Sequence, residues 1–171
     1  RKFYLINMAH AATAYVGYNA GEETIQSTLA DSRMREFIKA VLNEVKQYII
    51  IDSHFSSEEL DAYIEKTIKR FKNENISDDV LRVGRAPIRK LGYDERLIKP
   101  LRNLYELDLP LKYLSIVIAV AFSFDNKEDE EAGRLQEYIK ENGIEEAVRH
   151  FTGIEDPELI NKIQKYYHKL K

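Results

Sequence analysis

The 171-residue chain is 44% hydrophobic and 32% charged, with a formal net charge of −3 and a pI near 5.9. That is the size of one domain with enough apolar content to build a core. Its overall charge offers no general attraction to nucleic acid or to anionic membranes. There is no cysteine, which excludes disulfides, thiolate metal ligands and a cysteine nucleophile, and suits a reducing cytoplasm.

The chain opens on Arg1-Lys2-Phe3-Tyr4, with neither an initiator Met nor a cleavage-site pattern; we expect a piece of a longer protein. The run Ala9-His10-Ala11-Ala12-Thr13-Ala14 predicts a helix, and on it Asn7 and His10, three apart, project from one face. Ile25, Leu29, Met34, Phe37, Ile38, Val41, Leu42 and Val45 recur at three- and four-residue spacing and predict one amphipathic helix. The β-branched patch from Tyr48 to Ile51 continues its phase. Ser56-Ser57-Glu58-Glu59 supplies a cap and an acidic first turn for a helix carrying Leu60, Tyr63, Ile64, Thr67, Ile68 and Phe71.

Gly84, Pro87, Gly92, Pro100 and Pro110 then break residues 78–110 into short pieces. Tyr113 to Phe124 is too short an apolar stretch to span a bilayer and reads as a buried helix. The charge run from Asp125 to Glu131 reads as a solvated loop and helix start. Asp156-Pro157-Glu158 caps and begins a last helix that ends near Leu170. With no repeat, low-complexity tract or linker, residues 1–171 read as one all-α domain.

Two constellations carry chemistry. Lys2, Asn7 and His10 suit alcohol oxidation, in which one group takes the hydroxyl proton and others hold the alkoxide. The spacing equally admits a solvated Lys2 with Asn7 and His10 capping or packing. The second constellation lies in the broken segment: Arg82, Arg85, Arg89, Lys90, Arg96, Lys99 and Arg102 face only Asp94 and Glu95 within 82–102. Convergent cations on irregular backbone are where an anion site is sought. Ion pairing with the chain's 29 acidic residues is the competing reading, and Arg96 and Lys99 in particular read as packing or ion-pair residues. The cluster has few aromatics and no nucleic-acid-binding motif. His10, His54, His150 and His168 lack metal-ligand spacing.

Lys2-Phe3-Tyr4-Leu5-Ile6-Asn7-Met8-Ala9-His10 resembles the Lys-x-x-x-x-Asn-x-x-His signature of the polyol-specific long-chain dehydrogenases, the mannitol dehydrogenase family. Residues 78–91 and 95–101, spanning Arg82-Val83-Gly84-Arg85-Ala86-Pro87-Ile88-Arg89-Lys90, are similar to the branch of that family acting on mannitol 1-phosphate. The likeness fades after about Asn126, and Asn73-Glu74 stands where the family often has Asn-Pro. The resemblance implies a multi-helical C-terminal substrate domain, of the type also found in 6-phosphogluconate dehydrogenase. It further implies metal-independent hydride transfer with NAD, interconverting mannitol 1-phosphate and fructose 6-phosphate. Lys2 would be the general base, Asn7 and His10 would hold the reacting oxygen, and Arg85, Arg89 and Lys90 would contact sugar and phosphate. No Gly-x-Gly-x-x-Gly occurs here, so NAD would be bound mainly by a Rossmann domain upstream of this chain, its partner in the site. A relative acting on free mannitol or a uronate, and a non-catalytic helical interaction module, remain as alternatives.

Overall fold

The computed structural model describes residues 2–73 and 78–170, with side chains from residue 5 onward. Eleven helices appear among them. The first is α1 (Lys2–Asn19), which packs against α2 (Ile25–Ala30), α3 (Ser32–Asp52), α5 (Val80–Val83) and α8 (Lys112–Ala121). Its composition explains this central place. Leu5, Met8, Ala9, Ala11, Ala12, Ala14 and Tyr15 are all buried, and the alanines let neighbouring backbones approach on several sides at once. Gly17 does the same for α2, since a Cβ there would overlap Thr28 Oγ1 and lie 3.2 Å from two of its carbons.

The helix expected from Ile25 to Val45 is in fact two. Asp31 breaks it: its carboxylate accepts from the backbone N–H groups of Arg33 and Met34 and starts α3 afresh. The apolar period runs through the break, so periodicity alone does not reveal it. Elsewhere the caps fall where the sequence places them. Ser56 and Glu59 form a capping box ahead of α4 (Ser57–Phe71), and Asp156 with Pro157 starts α11 (Pro157–Lys169). Residues 78–110 hold α5, α6 (Pro87–Lys90) and α7 (Ile98–Glu106) as short pieces. Asp129 caps α9 (Glu130–Asn142), and α10 (Ile144–Thr152) leads to α11, which lies against α8. The described residues form no strand, only one isolated antiparallel bridge between Thr24 and Asp79. No described helix is long and apolar enough to cross a membrane.

The start of α8 is capped from a distance. Its own N-cap, Leu111, offers no side chain, and the buried Glu44 of α3 accepts from the N–H groups of Tyr113 (3.0 Å) and Leu114 (2.9 Å). Burial lifts the Glu44 carboxyl above the usual carboxylate range despite those donors. Glu44→Ala would leave buried donors unpaired and should cost about 2 kcal/mol. Urea unfolding of the two proteins compares them, and an unchanged midpoint would mean that α8 is satisfied elsewhere.

Candidate active site

The first turns of α1 set the site. Asn7 and His10 are both half-buried, one helical turn apart on α1, while Leu5, Met8, Ala9, Ala11 and Ala12 beside them fill the core. Lys2 belongs to the first turn of the same helix, but its side chain lies outside the described residues. His10 rests against Phe71, ring centroids 4.9 Å apart, and its Nε2 lies 3.2 Å from Asp78 Oδ2. Burial lowers the His10 pKa below its ordinary value. Asp78 opposes that shift, while Arg82 and Lys90 reinforce it. At neutral pH the ring is therefore uncharged, with one nitrogen able to donate and the other to accept.

Asp78 is itself held from three sides. Its carbonyl accepts from Ile25 N–H at 2.9 Å, its N–H donates to Gln26 Oε1 at 3.3 Å, and its other carboxylate oxygen binds Arg82. Val80 N–H donates to Glu23 O at 3.0 Å. The segment entering α5 is thus laced to the segment entering α2, and Arg82 is carried to the neighbourhood of His10. Sequence spacing does not link Asp78 or Arg82 to His10, because 68 residues separate Asp78 from His10.

The basic segment follows directly. Lys90 is buried (4% exposed) and donates through Nζ to the carbonyls of Val83 and Arg85. Burial, with Arg96, Arg89 and Arg85 around it, lowers the Lys90 ammonium to about 8. Arg85 and Arg89 are exposed, and no carboxylate among the described residues lies within ion-pairing distance of either side chain. The nearest acids are otherwise engaged. Asp129 accepts from the N–H groups of Ala86, Glu131 and Ala132, and Glu131 from the N–H of Arg89. Beneath, the buried Tyr15 hydroxyl donates to Gly84 O at 2.9 Å. The structure thus brings His10, Lys90 and Arg82 into one electrostatic neighbourhood, with Arg85 and Arg89 about Lys90. Among the described residues, no three His, Asp or Glu side chains gather as a metal-ligand set.

Residues 1–171 match the model of the mannitol dehydrogenase C-terminal domain. The chain is 39% identical over 165 residues to a mannitol-1-phosphate 5-dehydrogenase of Enterococcus faecalis, covering 96% of this chain and 43% of that protein. It is 40% identical over 172 residues to the enzyme of the same name from Caldanaerobacter subterraneus subsp. tengcongensis, covering 100% and 45%. The chain therefore spans less than half the length of the curated relatives it matches. Among solved structures, a Pseudomonas fluorescens mannitol 2-dehydrogenase in ternary complex with NAD and D-mannitol has the same fold. The TM-score is 0.80 at 17% identity, over 97% of this chain and 36% of that one. The all-α architecture, the Lys-x-x-x-x-Asn-x-x-His helix and the match along the whole chain agree: the chain belongs to the mannitol dehydrogenase C-terminal domain family.

Proposed function

We propose that this chain is the substrate-binding and proton-handling half of an NAD-dependent mannitol-1-phosphate 5-dehydrogenase, interconverting mannitol 1-phosphate and fructose 6-phosphate. The observation that carries the reading is the pairing of a neutral His10, one turn from Asn7, with a cationic segment in which the exposed Arg85 and Arg89 have no carboxylate within ion-pairing distance among the described residues. An alcohol-oxidising head beside an anion-seeking wall fits a phosphorylated polyol better than a free one. The names of the relatives at 39–40% identity point the same way.

The described residues contain no strand–glycine turn–helix unit of the kind that cradles a dinucleotide. We assign it to a domain of the intact enzyme outside this chain. The bound nicotinamide supplies the hydride acceptor; the remaining work falls to side chains here. Lys2, as general base, takes the proton of the C5 hydroxyl. An ordinary lysine titrates about three units too high for that task, and enclosure in a closed site lowers it. Asn7 and His10 hydrogen-bond the reacting oxygen, Asn7 donating to the charge that develops there, and a neutral His10 adds no cation beside Lys2. Arg85, Arg89 and Lys90 hold the sugar chain and phosphate. No step calls for a metal, in keeping with a chain lacking cysteine.

The intact enzyme tests the reading: mannitol 1-phosphate should be oxidised with far higher kcat/KM than mannitol. The reverse preference would make it a relative acting on free polyols. In that enzyme, Lys2→Ala should lower kcat about 10²–10⁴-fold with little change in KM. Near-normal turnover would move the base to another group. Arg85→Ala or Arg89→Ala should raise KM for mannitol 1-phosphate roughly ten- to hundredfold and leave the slower reaction of mannitol nearly unchanged. Equal losses on both substrates would assign that arginine to the sugar hydroxyls or the scaffold.

Lys90 adds a pH dependence of definite sign. Its ammonium titrates at about 8, so raising pH through that value removes a positive charge from the anion wall. KM for the phosphorylated substrate should therefore climb between pH 7 and 9. Lys90→Arg, which stays charged throughout, should flatten that limb; a limb that persists belongs to another group.

A further inference from the structure

The two ring nitrogens of His10 are not equivalent. Nε2 lies 3.2 Å from Asp78 Oδ2. Nδ1 has no hydrogen-bond partner among the described residues, and it is not one of the buried polar atoms left without one. It is therefore open to solvent, on a side chain 31% exposed. Phe71 packs on the imidazole with ring centroids 4.9 Å apart, so the ring is held across a face as well as at one edge.

Asp78 can hold that edge in only one sense. Its backbone is pinned at both ends: Ile25 N–H donates to its carbonyl at 2.9 Å, and its own N–H donates to Gln26 Oε1 at 3.3 Å. Its Oδ1 is taken by the Arg82 guanidinium, a group that only donates. A carboxylate paired in this way accepts hydrogen bonds and gives none. The bond between Asp78 and His10 must then be donated by the ring, from Nε2. Burial keeps the imidazole neutral, and a neutral imidazole carries a single N–H. That hydrogen is spent on Asp78, which leaves Nδ1 with a lone pair.

We propose that Asp78 is a positioning residue that sets the tautomer of His10, so that His10 meets the reacting oxygen as an acceptor, through Nδ1. The consequence is discrimination between the two oxidation states of the substrate. An alcohol has a hydroxyl hydrogen to rest on Nδ1 until Lys2 takes the proton, whereas a ketone oxygen has none to give. Donation to the developing charge is left to Asn7. Aspartate and asparagine differ sharply in this role. In Asp78→Asn, Arg82 claims the amide oxygen, the amide NH2 turns to His10, and Nε2 has to accept. The ring hydrogen moves to Nδ1, and His10 becomes a donor toward the substrate. The kinetic part of the assignment rests on the sugar-phosphate reading above; the tautomer does not.

The test uses the intact enzyme with isotope-labelled histidine ring nitrogens, read by NMR, the His10 signals being identified by their loss in His10→Gln. In the wild type at neutral pH, Nε2 should carry the hydrogen and Nδ1 should be bare, and Asp78→Asn should exchange them. A wild-type His10 protonated on Nδ1, or an unchanged tautomer in Asp78→Asn, would overturn the proposal. The same variant should lower the ratio of KM for fructose 6-phosphate to KM for mannitol 1-phosphate about three- to tenfold, the weight of one hydrogen bond. Equal changes in both KM values would refute the acceptor role and return Asp78 to the scaffold. Should Asp78→Asn not fold, the wild-type spectrum still decides the tautomer. Failure of the substrate reading shows separately, as a wild-type enzyme inactive on mannitol 1-phosphate. In such an enzyme the exchange of tautomers would still support the role of Asp78, and its absence would refute it.

Discussion

Two stretches of chain more than fifty residues apart are laced together at Glu23–Ile25 and Asp78–Val80, and the candidate site depends on that lacing. Three hydrogen bonds join them: Ile25 N–H to Asp78 O, Val80 N–H to Glu23 O, and Asp78 N–H to Gln26 Oε1. The first two make the isolated bridge between Thr24 and Asp79. Each stretch also starts a helix, through the Thr24 cap of α2 and the Asp79 cap of α5. One short contact therefore fixes where two helices begin. It also places the Asp78 carboxylate between His10 and Arg82. With the Tyr15 hydroxyl bond to Gly84 O, it fixes how the Asn7–His10 face of α1 sits relative to the basic segment.

Electrostatics then divide the site into two regimes. Around His10, burial dominates and keeps the ring neutral although a carboxylate touches it. Around Lys90 the same burial meets several cations, and the ammonium moves into the range where it exchanges its proton near physiological pH. Titratable groups drawn away from their ordinary values by burial and by named charge partners are candidates for a working site. The acids at the start of α9 turn their oxygens to backbone: Asp129 and Glu131 take N–H groups from α6 and from their own helix. They position the basic segment without pairing directly with the Arg85 or Arg89 side chain.

What the sequence discloses of this fold follows from how local each determinant is. The Ser56–Glu59 box, the Asp156-Pro157 start and the buried helix at 112–121 are written within a few residues, and the structure has them in place. The break at Asp31 is equally local, yet the uninterrupted apolar period hides it. The Asn7–His10 pair is legible because one helical turn joins them. Asp78 and Arg82 are not, since their relation to His10 is made by tertiary contact across 68 residues. Nor is the trans cap of α8 by Glu44, a glutamate on a helix face that by pattern belongs to solvent.

The turn between α5 and α6 shows why the basic side chains lie where they do. Ala86 sits in the left-handed region at φ 58° and ψ 57°, a conformation that disfavours any residue with a Cβ. Pro87 follows it, and a residue before proline is pressed toward extended backbone. Such strain persists only where the surroundings over-determine it, and here they do. Asp129 holds the Ala86 N–H, Lys90 Nζ ties the Val83 and Arg85 carbonyls, and the buried Tyr15 hydroxyl secures Gly84 O. A relaxed turn would free Lys90 from its inward bonds. Holding the backbone out of its preferred basin thus turns Lys90 inward onto the Val83 and Arg85 carbonyls while Arg85 and Arg89 stay exposed on either side of the turn.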